Sequence, residues 1–462
     1  MDARLLIGLF STLIVIIGLS VWSGTQRKTT QKKNSLPVVA GLIMGTLVGG
    51  SSSIGTAQLA YHFGFSAWWF TLGAGIACLI LALIYAIPLR RSGCTTLVGL
   101  IRKEYGDTAG IWASILSTVG TFINIISQLI SATAVIAVVF PQIPLAVSVL
   151  SSAGLMVLYV IFGGTKGTGI IGIVKMLLLY ISIILCAGIV LQKADGLSGF
   201  TQMVNNIENP EGIRFFSLFA RDVGTDLGAC LSLILGVLTT QTYAQGVLSG
   251  RTDKDAVGGA LLSAFLIPPI GIGGILVGLY MRANAAMYPA LTAKTALTTF
   301  ITAHMPPLMA GIILGALFVA VLGTGAGLAL GISTNINNDI VKRLRRRADA
   351  LENTIVPTRV WIIAVLTAAA LLCCSGLSDT ILKFSFMSMG LRGAVIFLPL
   401  CCSLWLPGRI APKYALASIL TGPSMVLLFG LWDILPCDPL FMGMLASLSI
   451  MGLGFYNSKK KQ

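Results

Sequence analysis

Runs of about 20 apolar residues recur along the whole chain, and each is long enough for an α-helix to cross a lipid bilayer. Charged residues make up only 10% of the 462 residues, and the mean hydropathy is +0.91, which excludes a soluble domain. The sequence predicts thirteen spans, at residues 3–23, 36–60, 66–88, 108–140, 143–163, 168–192, 224–249, 257–281, 306–333, 356–375, 378–406, 413–433 and 438–456. We therefore expect an all-α polytopic membrane protein.

The basic residues are distributed unevenly between the two sets of loops that these spans define. One set, which includes the loop after the first span and the C-terminal tail, holds 22 of the 31 Lys and Arg residues, and the other holds six. Because cytoplasmic loops collect Lys and Arg, we expect the N-terminus outside and the C-terminus in the cytoplasm. The net charge of +15 is then a topology signal with weak attraction for anionic lipid, and it does not indicate nucleic acid.

Two spans are interrupted by weak helix formers and polar residues near their middles. The second span reads "GLIMGTLVGGSSSIGTAQLAY" at residues 41–61, and the seventh reads "LGVLTTQTYAQGVLSG" at residues 235–250. The two spans are five apart, so they cross the membrane in opposite directions. Broken helices in opposite orientations are typical of secondary transporters built from inverted repeats. The alternative is close helix packing by small residues, which is also common in membranes.

Polar side chains at these breaks and on one neighbouring helix predict a solute pocket. Asn124 and Gln128 are four residues apart, so they share one face of the fourth span. The expected pocket residues are Ser51, Ser52, Ser53, Asn124, Gln128, Thr239, Thr240 and Gln241.

Several segments resemble the sodium:solute symporter family in the same order along the chain. They are "VGGSSSIGTAQLAYHFGFSAWWFTLGAGI", "PLRRSGCTTLVGLIRKEYGD", "YVIFGGTKGTG", "TQTYAQGVLSGRTDKDA" and "LFVAVLGTGAGLALGISTNINNDIVKR". The resemblance implies a core of five plus five helices and sodium-driven uptake of a small organic solute. It divides the chain into a leader helix and loop at 1–35, a first repeat at 36–192, an extracellular loop at 193–223, a second repeat at 224–410, and two additional C-terminal helices with a basic tail at 411–462.

The resemblance also implies a sodium site between the broken first core helix and the eighth core helix. By position, the backbone carbonyls fall on Gly45, Val48 and Ala320, and the hydroxyl pair falls on Gly323 and Thr324. Gly323 supplies no side-chain oxygen, so one of the hard oxygen ligands that such a cation prefers is missing.

A second departure from the family lies in the fifth core helix. Gly172 stands where an Asp is usual, and Lys175 stands where a Gln is usual. An ammonium group at this position would bridge the two helix bundles as the ion does, and H⁺ binding and release would then replace Na⁺. The alternative is that Lys175 extends its ammonium group to the inner headgroups.

Arg392 lies near the centre of the eleventh span, and the deep part of the spans contains no Asp or Glu. A buried guanidinium needs a partner. The partner is either a set of helix-terminal carbonyls or the carboxylate of a bound solute. On the second alternative we expect an organic anion as the solute and Arg392 as part of its site.

Other functional classes lack the residues that they require. An intramembrane hydrolase needs a nucleophile with a base, or a metal with His ligands, but the chain has only two His residues and no HExxH motif. The interruptions are local and paired, whereas a channel needs a continuous polar stripe, and an ATP-driven pump needs a Walker motif that is absent here. We expect no cofactor beyond the coupling ion, and the sequence says nothing about oligomeric state.

Overall fold

The computed structural model describes residues 2–25, 33–337, 358–375, 381–432 and 438–459. Its α-helices are α1 (Ala3–Thr25), α2 (Leu36–Leu47), α3 (Thr56–Phe63), α4 (Trp69–Ile80), α5 (Ala86–Arg91), α6 (Leu97–Tyr105), α7 (Asp107–Val139), α8 (Leu145–Lys193), α9 (Gly196–Asn205), α10 (Val223–Thr239), α11 (Gln241–Leu248), α12 (Asp253–Leu266), α13 (Pro268–Ala283), α14 (Ala296–His304), α15 (Pro307–Asn335), α16 (Thr358–Cys374), α17 (Ile381–Trp405), α18 (Pro412–Trp432) and α19 (Pro439–Lys459). The expected all-α class is confirmed.

The helices follow the predicted spans closely. In the described residues, eight helical runs are long and apolar enough to cross a membrane, and the bent pair α10–α11 makes nine. Four shorter apolar helices start at Ala3, Leu36, Leu145 and Thr358. A multi-pass membrane protein is therefore confirmed, whereas the count of thirteen spans stays a prediction.

The second span is broken where the sequence predicts it. Helix α2 ends at Leu47, and Val48 is extended, with φ −92° and ψ 111°. A π-helical turn at Ser51–Gly55 then leads into α3. The three serines therefore lie inside this π-helical turn, and the opened backbone lies just before them.

The seventh span is broken as well. Helix α10 ends at Thr239, Thr240 is extended with φ −90° and ψ 123°, and α11 leaves at an angle of 51°. The threonine hydroxyls bond back to their own helix, from Thr239 Oγ1 to Leu235 O at 2.7 Å and from Thr240 Oγ1 to Gly236 O at 2.5 Å. Such back-bonding offers the backbone an alternative to the regular helical ladder, and often bends a helix.

The boundary that the sequence predicts between the fifth and sixth spans falls inside one helix. Helix α8 runs continuously for 49 residues through the glycine-rich stretch near residue 164. Glycine lowers helix propensity, but it keeps its backbone donor, so a helix can continue through it. By contrast, Pro268 has no donor, and the eighth span changes there from α12 to α13.

The packing places the two breaks at the centre of the bundle. Helices α7, α8, α15 and α17 surround them, whereas α18 and α19 pair with each other at the periphery. Two connections that the charge pattern assigns to the same side lie together, since the Asn34 N–H donates to Ser249 O at 2.8 Å. The basic residues 26–32 and 342–347 and the tail 460–462 lie outside the described residues, so the orientation of the termini stays a prediction.

Candidate functional site

The Lys175 ammonium group lies at the break in the second span. Only 3% of this residue is exposed, and its Nζ donates to Gly45 O at 2.7 Å and to Thr324 Oγ1 at 2.8 Å. The Thr324 hydroxyl in turn lies 3.0 Å from Ala320 O and 3.3 Å from Val48 O. The structure therefore brings all four residues of the expected sodium site together, with the lysine among them.

The break itself makes the Gly45 carbonyl available. In a continuous helix this oxygen would accept from the Gly49 N–H four residues later. In the structure the Gly49 N–H donates instead to Ser52 Oγ at 2.9 Å. Gly45 O lies in the last turn of α2, where the partial negative charge of a helix C-terminus favours a cation.

Close packing surrounds the two glycines that depart from the family pattern. A Cβ atom at Gly172 would lie 2.1 Å from Gly41 O, so α8 approaches α2 too closely for an aspartate at this position. A Cβ atom at Gly323 would lie 3.3 Å from the Tyr159 hydroxyl, which occupies the adjacent space. Helix packing therefore excludes a side chain at Gly172, whereas at Gly323 a small shift of the Tyr159 hydroxyl would admit one.

The Lys175 ammonium group lies where the family resemblance places the sodium ion. The Lys175 Nζ is already bonded to two of the four residues of the expected sodium site, Gly45 and Thr324, and Gly323 adds no side-chain oxygen. A second unit charge about 4 Å away would cost roughly 4 kcal/mol at an effective dielectric constant near 20.

Three serine hydroxyls from three spans meet beyond the break, and we call them the serine cluster. Ser51 Oγ lies 2.6 Å from Ser385 Oγ and 3.0 Å from Ser127 Oγ, and the last two are 2.8 Å apart. All three residues are buried. The sequence predicted Ser51 at this site, but Ser127 and Ser385 were missed.

Gln128 connects the serine cluster to the broken backbone. Its Oε1 accepts from the Gly50 N–H at 3.0 Å, and its Nε2 donates to Ser51 Oγ at 3.1 Å and to Asn124 Oδ1 at 3.4 Å. The structure thus brings together the predicted residues Ser51, Asn124 and Gln128. Ser52 and Ser53, which the sequence also placed in the pocket, do not join this group. Both hydroxyls donate to Gly49 O at 2.9 Å and stay within their own turn.

Arg392 lies at the break in the seventh span and is 1% exposed. Its Nη1 donates to Thr240 Oγ1 at 2.6 Å, and its Nε donates to Ser388 O at 3.1 Å. Its Nη2 donates to Ser388 Oγ at 3.1 Å and lies 2.9 Å from Met389 Sδ. The guanidinium group is therefore paired with one carbonyl of its own helix and with two hydroxyls, whereas the sequence led us to expect helix-terminal carbonyls or a solute carboxylate.

The other predicted residues of the seventh span lie apart from the serine cluster. The Thr239 hydroxyl bonds only within its own helix. Gln241 faces a different element, since its Oε1 accepts from the Leu97 N–H at 2.8 Å and its Nε2 donates to Thr95 O at 3.2 Å. Gln241 thereby links α11 to the start of α6.

Two helices that are broken near their middles, with polar side chains at each break, define a secondary transporter. The chain belongs to the sodium:solute symporter family, whose model matches residues 34–422. It is 23% identical over 425 residues to the high affinity choline transporter 1 of Homo sapiens, an alignment that covers 86% of this chain and 72% of that protein. It is 24% identical over 343 residues to an uncharacterized symporter of Bacillus subtilis, covering 71% of this chain and 66% of that protein. The family and these relatives are transporters rather than enzymes.

Solved structures show the same fold. A Na⁺-coupled sialic acid symporter in its substrate-bound outward-open state aligns with a TM-score of 0.78 at 18% identity, covering 99% of this chain and 98% of that one. A nucleobase-cation-symport-1 family transporter in a closed conformation aligns with a TM-score of 0.58 at 13% identity, covering 93% and 94%. The expected inverted-repeat architecture is therefore confirmed.

Proposed function

We propose that this chain is a secondary active transporter of a small organic solute in which the Lys175 ammonium group occupies the position of the coupling sodium ion. The observation that carries this proposal is the pair of bonds from Lys175 Nζ to Gly45 O and Thr324 Oγ1. Through them, one side chain on α8 joins the broken second span to α15. A sodium ion at that position would hold the same two elements together.

The coupling step follows from the chemistry of an amine. The protonated side chain donates to both oxygens and holds α8, α2 and α15 in contact. Loss of its proton removes the positive charge that strengthens these bonds, so the contact weakens and the bundles can separate. Transport would then be coupled to protons or independent of sodium, although the family as a whole is sodium-coupled.

Solute uptake into proteoliposomes tests this coupling. Wild-type uptake should be unchanged when sodium is replaced by potassium, and it should increase with an inward proton gradient. Lys175→Gln keeps a hydrogen-bonding side chain but no charge, and it should abolish accumulation against a gradient. Lys193→Gln is a matched control, because Lys193 is exposed at the end of the same helix. Sodium-stimulated uptake that survives Lys175→Gln would contradict the proposal.

The expectation of a carboxylate solute rested on two deep cations without an acidic partner, which would need an anion or a dipole to offset their charge. Lys175 and Arg392 both donate to protein oxygens, so neither requires an anion from the solute. Relatives of this chain include high affinity choline transporters of Homo sapiens and Caenorhabditis elegans. We therefore propose a small hydroxylated ammonium compound of the choline type, whose hydroxyl group the neutral serine cluster can bind.

Competition experiments test the class of solute. Choline and related hydroxylated ammonium compounds should inhibit uptake of labelled choline, whereas carboxylates and neutral sugars should not. Ser385→Ala should weaken inhibition by choline more than inhibition by tetramethylammonium, because only choline carries a hydroxyl group. Inhibition by carboxylates alone would restore the carboxylate alternative.

A further inference from the structure

A buried carboxylate lies on the side of the bundle that the charge pattern predicts to be outside. Asp226, in the first turn of α10, is 0% exposed. Its Oδ1 accepts from Ser66 Oγ at 2.6 Å and from Arg221 Nε at 2.8 Å, and Arg221 Nη2 lies 2.5 Å from the same oxygen. In a chain with a net charge of +15, this places a negative charge deep in the structure with an arginine over it.

The same arginine also lies over an aromatic ring. The Arg221 guanidinium carbon is 5.6 Å from the centroid of the Phe386 ring, within the range of a cation–π interaction. The Phe70 ring packs edge-on against Phe386, with centroids 5.6 Å apart at 67°. We call Ser66, Phe70, Asp226 and Phe386 the outer cation site, with Arg221 as the cation that it holds.

The accessibility of these groups differs in a way that suits a gate. The Arg221 side chain is 15% exposed, whereas the Asp226 side chain is 0% exposed. Arg221 lies before the first turn of α10, in a segment without regular helix, and its side chain is the more exposed partner of the pair. Movement of this one side chain would remove the cation from the carboxylate.

The outer cation site and the serine cluster share one turn of α17. Phe386 directly follows Ser385, whose hydroxyl lies 2.6 Å from Ser51 Oγ at the break. The two groups therefore lie at a similar depth along α17, although consecutive side chains of a helix point in different directions. Choline-type compounds have a cationic end and a hydroxyl end separated by two carbon atoms.

We propose that the outer cation site binds the ammonium group of the entering solute, and that Arg221 is a tethered cation which the solute displaces. This inference rests on the proposed choline-type solute. The displaced guanidinium group moves toward the solvent, and the ammonium group takes its place between Asp226 and the Phe386 ring. Exchange of one cation for another keeps the buried carboxylate paired throughout, which avoids the large cost of an uncompensated buried charge.

The proposal predicts opposite effects at neighbouring residues. Arg221 competes with the solute for the same site, so Arg221→Gln should tighten ammonium binding, by about tenfold, because the competing occupied state is removed. Phe386→Leu removes the aromatic face and should weaken binding by about threefold to tenfold. Asp226→Asn, made together with Arg221→Gln so that no arginine is left unpaired, should weaken binding relative to Arg221→Gln alone.

Binding of tetramethylammonium and choline to the purified full-length protein tests this, by calorimetry or by ligand-dependent thermal stabilisation. Arg214→Gln is the matched control, because Arg214 is an exposed arginine in the same outer segment, and it should bind like wild type. Melting temperatures without ligand show whether each variant is folded, and Phe386→Leu is also measured in the Arg221→Gln background.

The outcomes separate this inference from the proposed function. Tighter binding by Arg221→Gln, with loss of that gain in the double variants, supports the site. Unchanged or weaker binding by Arg221→Gln, while wild type still binds choline, overturns the outer cation site and leaves the choline-type solute in place. Absence of ammonium binding by both wild type and Arg221→Gln overturns the site together with the choline-type solute. The proposed role of Lys175 in coupling is tested separately, by the sodium dependence of solute uptake.

Discussion

Gln128→Met should impair transport by releasing the broken second span from α7. Methionine has a similar length but cannot accept from the Gly50 N–H, which Gln128 Oε1 binds at 3.0 Å. That buried donor is left unsatisfied, and Ser51 and Asn124 each lose one bond. An unsatisfied buried group costs about 1–3 kcal/mol, so we expect a total loss of about 2–4 kcal/mol for the intact arrangement. This corresponds to roughly a 30- to 700-fold change in its population relative to opened forms.

Two measurements check this magnitude. Solute uptake by Gln128→Met in proteoliposomes should fall at least tenfold, and its apparent melting temperature in detergent should decrease. Gln202→Met is the matched control, because Gln202 is exposed on α9, and both of its values should stay near wild type. If Gln128→Met transports and melts as the control does, the break does not depend on Gln128 and the reasoning fails.

Three further predictions concern the second break, the helix packing and the topology. Thr240→Val removes the acceptor of Arg392 Nη1 and should reduce uptake several-fold at near-normal expression, whereas wild-type uptake would show that the contact is dispensable. Gly172→Ala should lower the melting temperature, because the new Cβ would meet Gly41 O at 2.1 Å. Gly154→Ala is the control, because its Cβ meets nothing within 4 Å. Equal melting temperatures of the two variants would contradict the close packing of α8 against α2. A cysteine in the Lys459–Lys461 tail should be labelled only in permeabilised cells, and labelling in intact cells would reverse the predicted orientation.

The sequence was most informative where local chemistry decides the structure. Gly49 and Gly50 weaken the second span, and the paired threonines weaken the seventh, so both breaks could be predicted from weak helix formers and polar side chains. The positions of Gly45, Val48, Ala320 and Thr324 followed from the family resemblance. They converge in the structure because the break frees one carbonyl where α15 presents a hydroxyl.

Partners across helices could not be predicted in the same way. Ser127 and Ser385 are ordinary residues of apolar spans, and only the packing of α7 against α17 makes them neighbours of Ser51. Gln241 is polar and adjacent to a break, yet the rotation of α11 turns it toward α6. The pairing of Arg392 with Thr240 depends likewise on how two distant spans meet.

The outer cation site illustrates the same difficulty. Arg221 and Asp226 are five residues apart at the start of a span, where the sequence indicates only a loop with a charged end. Their burial against Phe386 becomes apparent only when the eleventh span packs beside the seventh.

Binding of radioactive sodium to the purified protein tests the central claim most directly, namely that the Lys175 ammonium group occupies the ion position. We predict that Lys175→Ala gains a saturable sodium site that wild type lacks, because removal of the ammonium group leaves Gly45 O and Thr324 Oγ1 free to bind a cation. Addition of Thr324→Ala to Lys175→Ala should abolish the gained site. The opposite result would be a wild-type protein that already binds sodium, with binding lost in Thr324→Ala and unchanged in Lys175→Ala. That result would contradict a role of Lys175 in place of the ion.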